Sequence, residues 1–324
     1  MMQLLNLVTP EFRALSALLG RDPLQVQGPG GNTSIKEGSV MYIKASGTEL
    51  ADAETTDIFV AVDRDAAVLE AKEIVGDGSC KDTVLDKSHG LRPSIETTFH
   101  AAFEHRVVAH THSVAAITHA ISPEGRKVAQ EKLTGLPFAM VPYAKPGLPL
   151  TREILARISS ETRVVVLQNH GLICAGDTVE EVKALIADVE TRLSLDPCAT
   201  TAQPTNEPAP DGFIWSDHCW LAQNPLAFER AKNGTYYPDH VVFLGPCLPI
   251  QNHDANPPAI LQEGQGVLIR TDATSSQKAM LQCIEDVLSR MQDGWSIDPI
   301  GADAEAELLN WDAEKYRQAL AARA

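Results

Sequence analysis

Residues 164–174, V-V-V-L-Q-N-H-G-L-I-C, constrain this chain more than any other stretch. Three valines and a leucine without a polar residue between them are the pattern of a strand buried inside a sheet. Asn169-His170-Gly171 then makes a tight turn, and Leu172 to Cys174 returns as a second strand. Such a hairpin needs a core around it. At 324 residues and 44% apolar the chain is long enough to supply one, as one large domain or two modest ones.

The other elements alternate between helix and strand. Thr9-Pro10 caps a helix near residues 10–19, and a glycine-rich turn, G-P-G-G-N-T-S, follows at 28–34. Val40 to Lys44 and Ile58 to Val62 are strand-like, with Ser46-Gly47 as a turn between them, and residues 76–92 are a polar surface loop. Pro93 opens a helix over 94–104 with Ser94 in its first turn; Val107 to His112 is a strand and Ser113 to Ile121 a helix. Thr178 caps a helix to Leu193, with Glu181 at the capping-box position. Residues 196–212, holding four prolines and no apolar periodicity, are a linker between residues 1–195 and a tail of 213–324. In the tail, 240–244 and 266–270 are strand-like, and 275–291 and 303–322 are amphipathic helices. The class is α/β, and the elements alone leave the sheet direction open.

A net charge of −16 repels a phosphate backbone or an anionic membrane surface, so neither nucleic acid nor membrane is an expected partner. No apolar run approaches the roughly 20 residues a membrane helix needs. The capped helix at the N-terminus is part of the fold rather than a signal peptide. Six scattered cysteines without a C-x-x-C pair point to a reduced, cytoplasmic protein.

Residues i and i+2 of a strand face the same way, so His110 and His112 of R-V-V-A-H-T-H-S can converge on one ion. Taken alone, the pair better fits one solvated and one hydrogen-bonded histidine. Upstream, P-S-I-E-T-T-F-H places Glu96 and His100 one helical turn apart; downstream, His170 is delivered at a turn after a buried strand. Three imidazoles and a carboxylate make a complete shell for zinc or a similar divalent ion.

Gly30-Gly31-Asn32-Thr33-Ser34, Ser46-Gly47-Thr48, Pro93-Ser94 with Glu96 and His100, His110-x-His112, Pro142-Tyr143-Ala144 and Gln168-Asn169-His170-Gly171-Leu172-Ile173 occur in this order. Over residues 10–195 the set resembles the class II aldolase/adducin family, which includes the fuculose- and rhamnulose-phosphate aldolases. The resemblance implies a three-layer αβα fold with a central, largely antiparallel sheet, to which this chain adds a small α/β C-terminal extension. It implies Zn²⁺ (or Mn²⁺ or Co²⁺) on His110, His112 and His170, with Glu96 as fourth ligand or catalytic base. It also implies a homotetramer acting on a small sugar phosphate or sugar acid, by retro-aldol cleavage through a metal-bound enediolate. Epimerase, decarboxylase or dehydratase chemistry could use the same centre, and an adducin-like structural module would use none of it.

With this pattern the glycine-rich turn becomes an anion pocket rather than a plain turn. Its donors would be Gly31, Asn32, Lys44, Ser46, Gly47 and Ser94. Ile95 stands where phosphate-using relatives typically carry a second serine, so the anion is held with help from Lys44 or Lys36, or is a carboxylate. No tyrosine between Ser113 and Met140 matches the proton donor of some relatives. His100 either supports Glu96 or packs at the base of its helix, the latter being preferred. Ser216-Asp217-His218-Cys219 is taken as a surface segment, and His89, His105, His119, His240 and His253 carry no partner pattern.

Overall fold

A computed structural model describes residues 6–198, 200–203, 205–251 and 256–321. The valine hairpin sits inside a seven-stranded sheet. Its strands are β1 (Asn32–Glu37), β2 (Val40–Lys44), β3 (Phe59–Asp63), β4 (Val107–Thr111), β5 (Phe138–Val141), β6 (Val164–Leu167) and β7 (Gly171–Gly176), in the spatial order β3-β2-β1-β4-β7-β6-β5. Every neighbouring pair is antiparallel except β5 with β6.

Alternate residues along the central strands feed two separate cores. Val107 and Ala109 of β4, Val164 and Val166 of β6, and Leu172 and Cys174 of β7 pack with Phe12 and Leu15 of helix Pro10–Arg21 and with Val182 and Val189 of helix Val179–Leu193. Their neighbours Val108, Val165, Leu167 and Ile173 pack on the other face with Phe99 of helix Thr97–Ala102 and with Leu150 and Ile154 of helix Leu148–Leu155. The two-residue period of a strand, with both faces apolar, thus produces the three layers.

The tail builds a second sheet from β8 (Phe213–Trp215), β9 (Ala259–Gln262) and β10 (Gly266–Arg270), all antiparallel in the order β8-β10-β9. Helix Ser275–Arg290, with a complete capping box from Thr274 and Gln277, sends Met280 and Ile284 into a core shared with Val114, Ile117 and Ile121. Those three belong to or border helix Val114–Ala120, which starts two residues after His112. The tail therefore packs directly behind the strand that carries the histidines.

Several expected elements are redrawn. Residues 240–244 are not a strand: Pro238 opens a helix, Pro238–Leu244, in which every side chain is buried. A short apolar run cannot distinguish a strand from a fully buried helix, and the proline at the first helical position was the decisive signal. Residues 303–322 divide into helices Ala302–Leu309 and Asp312–Ala321. The helix after Pro93 begins only at Thr97, because Ser94 forms a turn whose hydroxyl accepts from the Glu96 N–H at 3.2 Å. β1 begins inside the expected glycine turn, at Asn32. Thr178 does accept from the Glu181 N–H at 3.1 Å, but the Glu181 carboxylate turns to the Asp177 N–H instead of closing the box.

Candidate metal centre

His110 pairs in register with Asn32 of β1 on one side and with Ile173 of β7 on the other. That register sets the start of β1, the end of β4 and the β6–β7 turn side by side at one end of the sheet. In the turn, Asn169 takes a left-handed conformation at φ 51°, which asparagine tolerates. A Cβ at Gly171 would strike the Thr111 carbonyl, so the turn can press against β4 only because a glycine follows His170.

The structure brings His110, His112, His170 and Glu96 together, all buried. The three imidazole rings have centroids 4.9, 5.1 and 5.4 Å apart, and one ligand atom from each lies within 4.8 Å of the others. Glu96 spans the triad, with Oε2 3.6 Å from His110 Nε2 and Oε1 3.6 Å from His170 Nε2. No hydrogen bond forms at these separations. His110 Nε2, His112 Nδ1, His170 Nδ1 and Glu96 Oε1 are buried without a partner among the described residues. Unpartnered polar atoms in a protein interior are costly; His110 Nε2 and Glu96 Oε1 both face the triad, where they fit a divalent cation. Among the described residues, His110, His112 and His170 form the one group with such metal-holding geometry.

Charge and hydrogen bonding fit the same role. Burial lowers the pKa of His112 and of His170 to about 3, against the opposing pull of Asp239 and Glu96 respectively, so both rings are neutral near pH 7 and can ligate. His110 Nδ1 donates to the Leu172 carbonyl at 3.0 Å, which leaves the Nε2 lone pair free. Burial pushes the Glu96 carboxyl up, but His110, His170 and the Asn32 amide outweigh it and hold the group below its ordinary range. Asn32 Nδ2 donates to Glu96 Oε2 at 2.8 Å, and Asn32 Oδ1 takes the Nε2 proton of His100. His100 Nδ1 meets Ser34 Oγ at 2.8 Å. The preference for His100 as mere packing is therefore corrected: it stacks on Phe99, yet its hydrogen bonds run through Asn32 to Glu96.

The anion-pocket residues Gly31, Asn32, Lys44, Ser46, Gly47 and Ser94 line a cavity of about 30 Å³ together with Ile95, Glu96, His112 and His170. Lys44 Nζ donates to the Pro29 carbonyl at 3.0 Å and the Thr48 carbonyl at 2.6 Å, and burial, with Arg317 adding to it, lowers its pKa to about 7. Lys36 does not reach the cavity, because its buried ammonium is bound to the carbonyls of His100 and Phe103. His218 of the Ser216–Cys219 segment pairs with Glu285 at 2.7 Å, away from any metal cluster among the described residues. His253 lies outside the described residues.

Three tail residues enter the site without any warning from the sequence. Asp239 Oδ2 lies 3.4 Å from His112 Nδ1. Arg317 grips that carboxylate with both terminal nitrogens, at 2.9 and 3.1 Å, and also binds Glu314 at 2.8 Å. Asp239 and Arg317 line the cavity. Tyr237 packs its ring edge-on to His112 with centroids 5.3 Å apart, while its hydroxyl donates to Met280 Sδ at 2.9 Å. Asp239 follows a proline at a helix start, a usual place for an acidic residue, so nothing in its local sequence marks it as part of a site.

Residues 12–195 match the model of the Class II Aldolase and Adducin N-terminal domain, and the chain belongs to that family. It is 31% identical over 180 residues to the uncharacterized oxidoreductase YuxG of Bacillus subtilis, an alignment covering 51% of this chain and 26% of that protein. The chain therefore spans about a quarter of that relative's length. It is 25% identical over 189 residues to an L-fuculose phosphate aldolase of Methanocaldococcus jannaschii, covering 54% of this chain and 88% of the relative. Among solved structures, the N-terminal class II aldolase domain of a conserved protein from Thermoplasma acidophilum superposes with a TM-score of 0.51 at 26% identity, over 60% of this chain and 95% of the other. The mixed α/β architecture with its mostly antiparallel central sheet is that of the family. No helix among the described residues is long and apolar enough to cross a membrane.

Proposed function

We propose that the chain is a metal-dependent aldehyde-lyase that cleaves a ketose phosphate or related sugar acid by a retro-aldol reaction. The observation that carries this reading is the buried set of His110, His112, His170 and Glu96 with its unpartnered donor atoms. His110, His112 and His170 would hold a divalent cation, zinc being the first choice for three neutral imidazoles, with Glu96 as fourth ligand or as base. When bound, such an ion supplies Lewis-acid stabilisation of the negative charge that develops at the substrate carbonyl. Glu96 accepts the proton of the substrate hydroxyl as the carbon–carbon bond breaks, and returns one to the new carbanionic carbon. Asn32, tied to His100, holds the Glu96 carboxylate in place while the proton moves. Gly31, Ser46, Gly47, Ser94 and Lys44 bind the anionic group of the substrate and fix its distance from Glu96.

In this reading residues 1–195 form the catalytic module, 196–212 a linker and 213–324 an accessory extension, in a cytoplasmic homotetramer. The free thiols of the six cysteines support a reducing compartment. The test is metal analysis of the purified protein, followed by incubation with ketose 1-phosphates and phosphorylated sugar acids. Release of a three-carbon ketone and an aldehyde is the expected result. Carbon dioxide or an epimer instead of cleavage would replace the lyase reading with a decarboxylase or epimerase at the same residues. Stoichiometric absence of metal would remove both and leave a structural module.

A further inference from the structure

The helix Asp312–Ala321 is attached in an unusual way. Among its described side chains the two that are buried are both charged, Glu314 and Arg317, while Trp311, Tyr316 and Leu320 around it are only partly covered. Tyr316 lies under the Arg92 guanidinium at 4.2 Å and Trp311 beside the Lys145 ammonium at 4.7 Å. Leu320 rests on Gly47 of the anion pocket so closely that a Cβ there would collide with it. The helix is thus held over the site by ion pairs and surface aromatic contacts rather than by an apolar core. The cavity beneath it, about 30 Å³, has room for no more than a couple of water molecules.

We propose that Arg317 is a substrate-binding residue, which the C-terminal helix delivers to the metal centre to clamp the anionic group of the substrate. This rests on the lyase reading for the identity of the substrate, but not for the binding of an anion. Arg317 lines the same cavity as Lys44, Ser46, Ser94 and Glu96, and Asp239 fixes its guanidinium relative to His112. Asp239 and Glu314 occupy three of the five N–H donors of Arg317, leaving two for a ligand among the described residues. Glu314 has one oxygen on Arg317 and its other oxygen, Oε1, buried with no partner among the described residues. An incoming anion displaces this half-satisfied carboxylate from the guanidinium. The planar fork of arginine suits a phosphate or a carboxylate, and it supplies the donor that Ile95 cannot.

The experiment measures binding of inorganic phosphate, and separately of acetate, to the full-length zinc-loaded protein by calorimetry, with zinc content assayed in parallel. Arg317→Ala is expected to weaken phosphate binding at least tenfold at unchanged zinc content, and deletion of residues 312–324 to do the same. A stronger loss for phosphate than for acetate assigns the pocket to phosphate esters, and the reverse assigns it to sugar acids. If circular dichroism finds Arg317→Ala unfolded, Arg317→Lys and Glu314→Gln carry the test: the first should weaken binding severalfold and the second should tighten it. Wild-type protein that binds neither anion at millimolar concentration, or affinities indifferent to these substitutions, would overturn the proposal. Failure of the lyase reading has a different signature, namely absent zinc or an uncleaved substrate panel with the Arg317-dependent anion binding intact.

Discussion

The two parts of this molecule that meet at the cavity are built on opposite principles. The seven-stranded sheet places His110 and His170 through backbone register and apolar packing; Val107 and Val108, Val164 and Val165 anchor its strands from both faces. The last helix of the C-terminal extension instead places Glu314 and Arg317 through a buried network of charges centred on Asp239. Apolar packing is insensitive to pH and salt and holds a ligand set rigidly, whereas an ion-paired helix over a cavity can release and re-form. On the proposed reading, this contrast would leave metal binding to the sheet and contacts to the substrate anion to the tail.

The largest effect tests the sheet side. His170→Ala removes one of three imidazoles while leaving β6 and β7 packed, and metal content is expected to fall below stoichiometric with loss of all measurable turnover. Normal metal content in this variant would separate the triad from metal binding. Next comes Glu96→Gln, which keeps an oxygen toward the triad but cannot take a proton. It is expected to retain metal and to lose ~10²–10⁴-fold in kcat with little change in KM. Near-normal kcat would remove Glu96 from proton transfer.

How far the sequence reveals each part follows from the same contrast. The valine run of 164–167, the H-x-H pair after Val107-Val108-Ala109 and the Asn169-His170-Gly171 turn each carry local evidence, because strand periodicity and turn chemistry are written in adjacent residues. Glu96 was legible as a residue, though its element was not, since a turn at Ser94 delays the helix to Thr97. Asp239 and Arg317 were invisible. They are 78 residues apart and their pairing depends on how two helices cross, which no local pattern encodes. The same residues 240–244 that looked like a strand form the helix that carries Asp239 to His112.

Asp239→Asn probes the seam between the two parts. It removes the carboxylate beside His112 and half of the Arg317 anchor, so metal affinity is expected to drop ~10–100-fold in a chelator competition, a milder loss than for His170→Ala. An unchanged affinity would make Asp239 a latch for the helix alone and detach the extension from the metal.

The smallest effect concerns Lys44, which stands in the sheet but faces the charges of the tail. Burial lowers its ammonium to about 7 in the folded chain, from 10.5 as the ordinary value. Between those limits the unfolded chain holds the proton that the folded chain has lost, so stability rises with pH across this window, by at most ~1.4 kcal/mol per pH unit. Below about 7 both states are protonated, and the full cost of the buried charge remains. Lys44→Met carries no such charge, so urea midpoints measured from pH 7 to 10 should climb in the wild type relative to this variant. Phosphate affinity should move the other way, weakening in the wild type as Lys44 loses its charge while the Arg317 contribution stays constant. A phosphate affinity that is flat with pH would leave Arg317 as the cation that matters and reduce Lys44 to a brace for the Pro29 and Thr48 carbonyls.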